Sequence, residues 1–441
     1  MGAVRPTWEG EVLTDRPAAR PAAGGGEMTE RLDREVRRSV LSSGTVVLSE
    51  RMDSVRSVAA GVWVRRGTAH EQPEYRGIAH LLEHMVFKGT ARRSAQEIAT
   101  AVEGTGGSLD AYTTHEHTSF QVRVPSDHMG TGLDVLADLA FSPALRVEDL
   151  ELEREVVLEE ISRMEDTPDD LVFELHSEFM YDGHPYGSPI LGTRETVESL
   201  DAADLRRLHG EAYRPENMVV AVAGQVDHDE LLAQVRDLWP AEPVTGRLAN
   251  VPTLQSTAVG ARVVRRAGGR QVHLIAGARG LDHSSALRHA AIVVGQALGG
   301  GMSSRLFQKV REQLGLAYSV FSFQSFYARG GHVGAYLATR PEAAAEARDT
   351  LLGELRVLAE HGLSRAELDE VKEQIKGQIL LSLESPSSRM HRLAGMVLYE
   401  EPYRNLDTLV ELIEGIDLDQ AAEASKLYDP EGLAVLELWP A

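Results

Sequence analysis

The chain has 441 residues, 43% of them hydrophobic and 25% charged, with a formal net charge of −22 and no cysteine. Length and composition fit a soluble globular protein of two or three domains, and no apolar run approaches the ~18 residues that span a bilayer. The acidic balance disfavours nucleic acid as a partner and mildly favours basic ligands; without cysteine, disulfides are excluded and a transition-metal site must be built from His and carboxylate.

Residues 1–35 are rich in Pro, Ala, Gly and both charges. They contain no apolar signal-peptide segment, and their acidic residues argue against a mitochondrial-type presequence, so a disordered N-terminal tail is expected. The β-branched runs Thr45–Arg51 and Ser57–Gly67 predict strands. From Gly77 to Val86 the apolar residues Ile78, Leu81, Leu82, Met85 and Val86 fall at helical spacing. An acidic helix is predicted over Leu145–Ile161 and another helix over Ala202–Tyr213. Pro240–Gly260 carries Pro, Gly and Thr without periodicity and reads as a linker.

An internal repeat with a period of roughly 210 residues organises the chain. Ser199–Gly224 is echoed by Gly415–Leu438, and in both a helix ends at Tyr-x-Pro-Glu before a buried-type strand. Leu109–Phe120 is echoed by Gly315–Phe326, and Leu145–Ile161 by Leu363–Ile379. Three blocks in the same order indicate duplication. The expected fold is therefore α+β: two homologous α/β domains, each a mainly antiparallel sheet packed with helices, over residues 36–240 and 261–441 and joined by a linker at 241–260.

The stretch Ile78–Thr90, "IAHLLEHMVFKGT", carries the chemistry. A helix brings residues i and i+4 onto one face, so His80 and His84 can aim at a common point. Glu83 lies beside them, within reach of a water on a shared metal. This H-x-x-E-H order is a known zinc-peptidase signature; the plainer alternative is an amphipathic helix with two surface histidines. A catalytic zinc needs three protein ligands and an open position. The acidic helix offers Glu153 and Glu160 on one face, with Glu155 and Glu159 on others, and spacing does not choose among them. In the second copy Glu160 aligns with Gln378 and Glu153 with Val371, and nothing in Leu281–Met302 reproduces the histidine pair. Joint absence of potential ligands is what a single metal centre predicts.

"HLLEHMVFKGT", "GGSLDAYTTHEHTSF" and "LEREVVLEEISRMEDTP" together resemble the successive signatures of the insulinase/pitrilysin superfamily of zinc peptidases, in its mitochondrial-processing-peptidase-like bacterial branch. The resemblance implies a zinc-dependent endopeptidase acting on extended or unfolded peptides. It implies one Zn2+ per chain on His80, His84 and Glu160, Glu83 as general base toward a metal-activated water, and Glu153 supporting the site. In "LGGGMSSRLFQKVREQLGLAYSV" it implies that Arg311 and Tyr318 hold the substrate carbonyl and stabilise the oxyanion, whereas the residues alone read as a surface helix position and a packed strand core position. Substrate would lie along the strand near Leu109–Thr113, beside Asp110 and Ala111. Asp110 departs from the family's usual Asn; when ionised, Asp offers only acceptors. His115 and His117 alternate on the predicted strand and share a face, a pattern that could mimic a second metal site, although the family strand accommodates them without a metal role.

The resemblance further implies a cytoplasmic bacterial protein and a homodimer, in which Arg311 and Tyr318 complete the partner's zinc site. The competing expectations are a non-catalytic assembly subunit of the same family and a metal-binding module without hydrolysis; the intact His80, Glu83, His84 and Glu160 weigh against the first.

Overall fold

The computed structural model describes residues 28–241 and 250–441. Residues 1–27 of the expected tail and 242–249 of the expected linker lie outside the described residues. Seven strands come from the first half: β1 (Met28–Arg31), β2 (Val36–Val40), β3 (Val46–Arg51), β4 (Ser57–Val64), β5 (Ser108–Thr113), β6 (Thr118–Pro125) and β7 (Met218–Gly224). They form one sheet in the order β1-β2-β3-β7-β4-β6-β5. Residues 28–31, expected as part of the tail, belong to this sheet as β1, which pairs antiparallel with β2 from Met28↔Val40 to Arg31↔Arg37, and residues 32–35 connect the two strands. Its charged, exposed side chains had masked a strand held by backbone pairing.

The second half supplies β8 (Gly260–Arg266), β9 (Val272–Arg279), β10 (Ala317–Tyr327), β11 (Gly330–Thr339) and β12 (Ala434–Pro440), in the order β10-β11-β9-β12-β8. The duplication is visible in the pairing. β3 runs parallel to β7, which is antiparallel to β4; β8 runs parallel to β12, which is antiparallel to β9. Among the described residues the sheets correspond strand for strand except that β1 and β2 have no counterpart. The echo of Leu109–Phe120 in Gly315–Phe326 is shorter than expected. β5 ends at Thr113 and turns into β6, whereas β10 continues to Tyr327, so Phe120 and Phe326 occupy different strands. His115 and His117 accordingly lie in the turn between β5 and β6 and not on a strand.

Each sheet is contiguous in sequence, but the helices that cover them cross over. On β4, Val58, Ala60, Val62 and Val64 face the first half's own helices, while Ala59 and Trp63 pack against Met390, Leu393, Ala394 and Val397 of the helix Pro386–Leu398, from the second half. Reciprocally, Ile275 of β9 and Leu436 of β12 pack against Leu171 and Val172 of the helix Pro168–Tyr181, from the first half. The two exchanged helices are counterparts in the repeat, each opening on a Pro at its first turn. Burial on both faces explains why β7 reads as an unbroken apolar run instead of an alternating one. Glu50, buried at the same seam, is held by Arg389 and by Arg392 Nη2 at 2.9 Å. Taking away either guanidinium would leave a buried charge short of partners, so the ion cluster ties the helix to its sheet.

Aromatic and imidazole rings fill another part of the seam. Tyr181 Oη lies 2.9 Å from His332 Nδ1, His176 Nε2–H donates to the Ala434 carbonyl at 3.0 Å, and the His115 ring stands 5.5 Å from that of Tyr327. Burial holds His115 and His176 down to about 4 and His332 to about 3, so all three are neutral in the fold. A histidine depressed below its unfolded value of about 6.5 contributes stability that is complete above that pH and lost as pH falls through the folded value. The expected result is a melting temperature that drops between pH 7 and pH 4, with a shallower drop in His332→Phe. Equal acid sensitivity in variant and wild type would show that these rings do not govern it.

Candidate metal centre

Helix α1 (Ile78–Val86) buries Ile78, Leu81, Leu82, Met85 and Val86 in the first core. Its other face presents His80, Glu83 and His84 to the acidic helix Val147–Asp166 and to β5. The Nε2 atoms of His80 and His84 each lie 3.7 Å from Glu160 Oε2. These three residues are the one group of His or carboxylate side chains, among the described residues, whose donor atoms gather within 4.8 Å of one another. Of the four glutamates that spacing left open, Glu155 and Glu159 are exposed and Glu153 takes a different position.

Glu153 is 5% exposed and lies 3.1 Å from His84 Nδ1 through Oε2. An Nδ1–H donated to a buried carboxylate fixes the tautomer and leaves Nε2 unprotonated, the form that could bind a metal. The other oxygen of Glu153 is 2.5 Å from Lys88 Nζ, just past the end of α1, so the pairing Lys88–Glu153–His84 anchors the helix at its C-terminal end. Glu83 is buried, and Thr113 Oγ1 donates to its Oε2 at 2.5 Å. Burial raises the proton affinity of Glu83 and the Thr113 hydroxyl opposes that rise. Burial, followed by the neighbouring His84, lowers His80 to about 3, which leaves its imidazole neutral.

The donor set fits zinc. Tetrahedral zinc with bonds of about 2.0–2.2 Å to N and O places its ligand atoms about 3.3 Å apart; the two separations from Glu160 are 3.7 Å and the whole group lies within 4.8 Å, a span that side-chain rotations would close. The counterpart positions in the second half, Val371 and Gln378, carry no carboxylate on the helix Arg365–Ser382.

Sequence reasoning missed two side chains here. Lys88 falls one turn beyond His84, a spacing shared with any surface lysine. Thr113 contacts Glu83 only because β5 passes α1 in space. β5 is the edge of its sheet, as the substrate-strand expectation requires, and carries exposed Asp110 and half-buried Ala111. His115 and His117 contribute nothing to the metal group: His115 Nδ1 bonds Thr68 Oγ1 at 3.0 Å and His117 packs on Tyr112.

Arg311 and Tyr318 are brought together, but not to the triad. Arg311 sits in a π-helical segment (Phe307–Gln313) and donates through Nη1 to the Tyr318 carbonyl at 3.0 Å, its guanidinium 4.3 Å from the Tyr318 ring centroid. Tyr318 lies at a register break on edge strand β10 and is 76% exposed, unlike the packed strand position that its sequence suggested. Neither side chain is a hydrogen-bond or ring partner of His80, Glu83, His84 or Glu160 among the described residues.

The chain is similar to known proteins over nearly its whole length. Residues 46–194 match the family described as insulinase (peptidase family M16), and residues 199–375 match the peptidase M16 inactive domain. An uncharacterized zinc protease of Bacillus subtilis is 36% identical, covering 92% of this chain and 98% of its own length. One from Mycobacterium leprae is 36% identical, covering 96% of each chain, and one from Streptomyces coelicolor is 37% identical, covering 89% of this chain and 86% of its own length. Among solved structures, a peptidase M16 inactive domain protein from Pseudomonas fluorescens superposes with a TM-score of 0.85 at 20% identity, over 92% of this chain and 98% of that one. A protease from Helicobacter pylori gives 0.83 at 21% identity, over 91% and 99%.

The two-domain fold is that of the peptidase M16 structures, and the bacterial relatives carry the name zinc protease. The chain belongs to peptidase family M16, the insulinase family. No described helix is long and apolar enough to cross a membrane.

Proposed function

We propose that this protein is a zinc endopeptidase with one Zn2+ per chain on His80, His84 and Glu160, hydrolysing extended or unfolded peptides. One observation carries the reading: two imidazole nitrogens converge on a single carboxylate oxygen, while Glu83, a carboxylate outside that set, stands in the same turn of α1. Bound zinc would supply Lewis-acid polarisation and lower the pKa of water toward neutrality. Glu83 takes the proton of the attacking water and returns it to the leaving amine. Thr113 holds one oxygen of Glu83, which directs the other toward the reaction. Glu153 positions His84.

The substrate backbone pairs along β5 beside Asp110 and Ala111, a mode that admits only extended chain. Arg311 and Tyr318 act on a substrate held by the partner copy of a homodimer, since within one chain they are separate from the triad. The protein works in the bacterial cytoplasm without a nucleic-acid partner. Cleavage of a quenched library of unfolded peptides should cease on removal of zinc by a chelator and return with added zinc. Cleavage that survives complete zinc removal, or a zinc-loaded protein that cleaves no peptide, would overturn the proposal.

A further inference from the structure

The two histidines of α1 are not held alike. His84 is oriented through its ring by Glu153. His80 has no such support: its Nδ1 is buried and finds no hydrogen-bond partner among the described residues. Where its ring lies is then decided by where the backbone of the first turn lies.

That first turn lacks an ordinary cap. Helices open with unpaired N–H groups that a Ser, Thr, Asp or Asn at the N-cap would satisfy. Here the N-cap is Gly77, at φ +89°, with no side chain to offer. A capping residue has no room at this position. A Cβ on Gly77 would meet the Leu191 carbonyl oxygen at 2.6 Å and Gly192 Cα at 2.9 Å, and a Cβ on Gly192 would meet the Arg76 carbonyl oxygen at 2.5 Å. The close crossing of these two segments, and the left-handed backbone, both demand glycine.

The missing cap comes from upstream. Glu71 Oε2 accepts from the Gly77 amide at 2.9 Å and Oε1 accepts from the Ala79 amide at 2.8 Å. The carboxylate spans two of the amides at the start of α1 and has no ion-pair partner within bonding distance among the described residues. Its negative charge sits at the positive end of the helix, the favourable sense. We infer that Glu71 is a positioning residue for the metal site: by capping α1 from outside the helix, it sets the backbone that places His80, doing for one ligand what Glu153 does for the other.

The inference rests on the zinc reading of His80, His84 and Glu160, and its test separates the two. Burial lifts Glu71 to about 7, so measurements belong at pH 8 or above, where the carboxylate is charged. Glu71→Gln keeps the size of the side chain but offers one acceptor and one donor to two backbone donors, so only one amide stays satisfied. In the full chain, chelator competition should show zinc binding weakened by about 10-fold or more, the range expected for an outer partner of a metal ligand. The visible spectrum of the cobalt-loaded variant should shift, and kcat at saturating zinc should fall with KM little changed. Hydrogen exchange on the zinc-free protein should quicken at Gly77–His80, a readout that needs no metal. Glu153→Gln should weaken zinc binding without quickening that exchange. Zinc affinity and exchange both at wild-type values in Glu71→Gln would overturn the inference; a wild type that binds no zinc would instead sink the metal reading, with the exchange result still deciding whether Glu71 caps α1.

Discussion

On the proposed reading, Glu83→Gln should retain its zinc and lose turnover by about 10²–10⁴-fold, the contribution typical of a positioned general base. Gln has nearly the shape of Glu, and its carbonyl oxygen still accepts from Thr113, which lies 2.5 Å from the native carboxylate. The donor atoms of His80, His84 and Glu160 are untouched, so metal content stays at the wild-type level. What vanishes is the ability to take a proton from water, because an amide has no basic lone pair near neutral pH. Metal analysis on the protein used for peptide cleavage checks both halves of the result. Turnover within a few-fold of wild type would remove Glu83 from the proposed role, and zinc lost together with turnover would make it a ligand.

Glu160→Gln should show the opposite signature: zinc falls first, and activity falls with it. Both Nε2 atoms face the same Glu160 oxygen at 3.7 Å. The substitution removes the only negative charge in the ligand set and leaves two neutral imidazoles with a weakly donating amide. The loss of affinity should exceed the about 10–100-fold expected for removing the Glu153 carboxylate that supports His84. The second half of the chain already contains this change, since Gln378 stands on its helix where Glu160 stands on the first. Zinc content by mass spectrometry after dialysis gives the result, and full occupancy with wild-type affinity would exclude Glu160 from the site. A non-catalytic assembly subunit would have no turnover to lose in Glu83→Gln.

Much of this centre is legible in the sequence. A helix face is dictated by its period, so two histidines four apart had to share a side once α1 formed. The repeat announced two homologous sheets, and the strand orders bear it out pair by pair. The acidic helix was visible, but its period permits several outward glutamates and says nothing about depth. Resemblance singled out Glu160, and the packing against α1 shows why Glu153 is buried while Glu155 and Glu159 face solvent.

Other features depended on the chain meeting itself in space. Thr113 reaches Glu83 from β5, and Lys88 reaches Glu153 across the gap between two helices. Glu71 caps a helix it does not belong to because the crossing at Gly192 forbids a side chain on Gly77. The exchange of Pro168–Tyr181 for Pro386–Leu398 is invisible to periodicity, which marks a helix as amphipathic without naming the sheet it will cover. Sequence alone determined the kinds of elements, their duplication and the presence of ligand-type side chains at helical spacing, because these follow from local sterics and period. Which carboxylates converge, which hold the ligands in place and which half's helix closes which sheet were decided only by tertiary packing, since those distances join residues far apart along the chain.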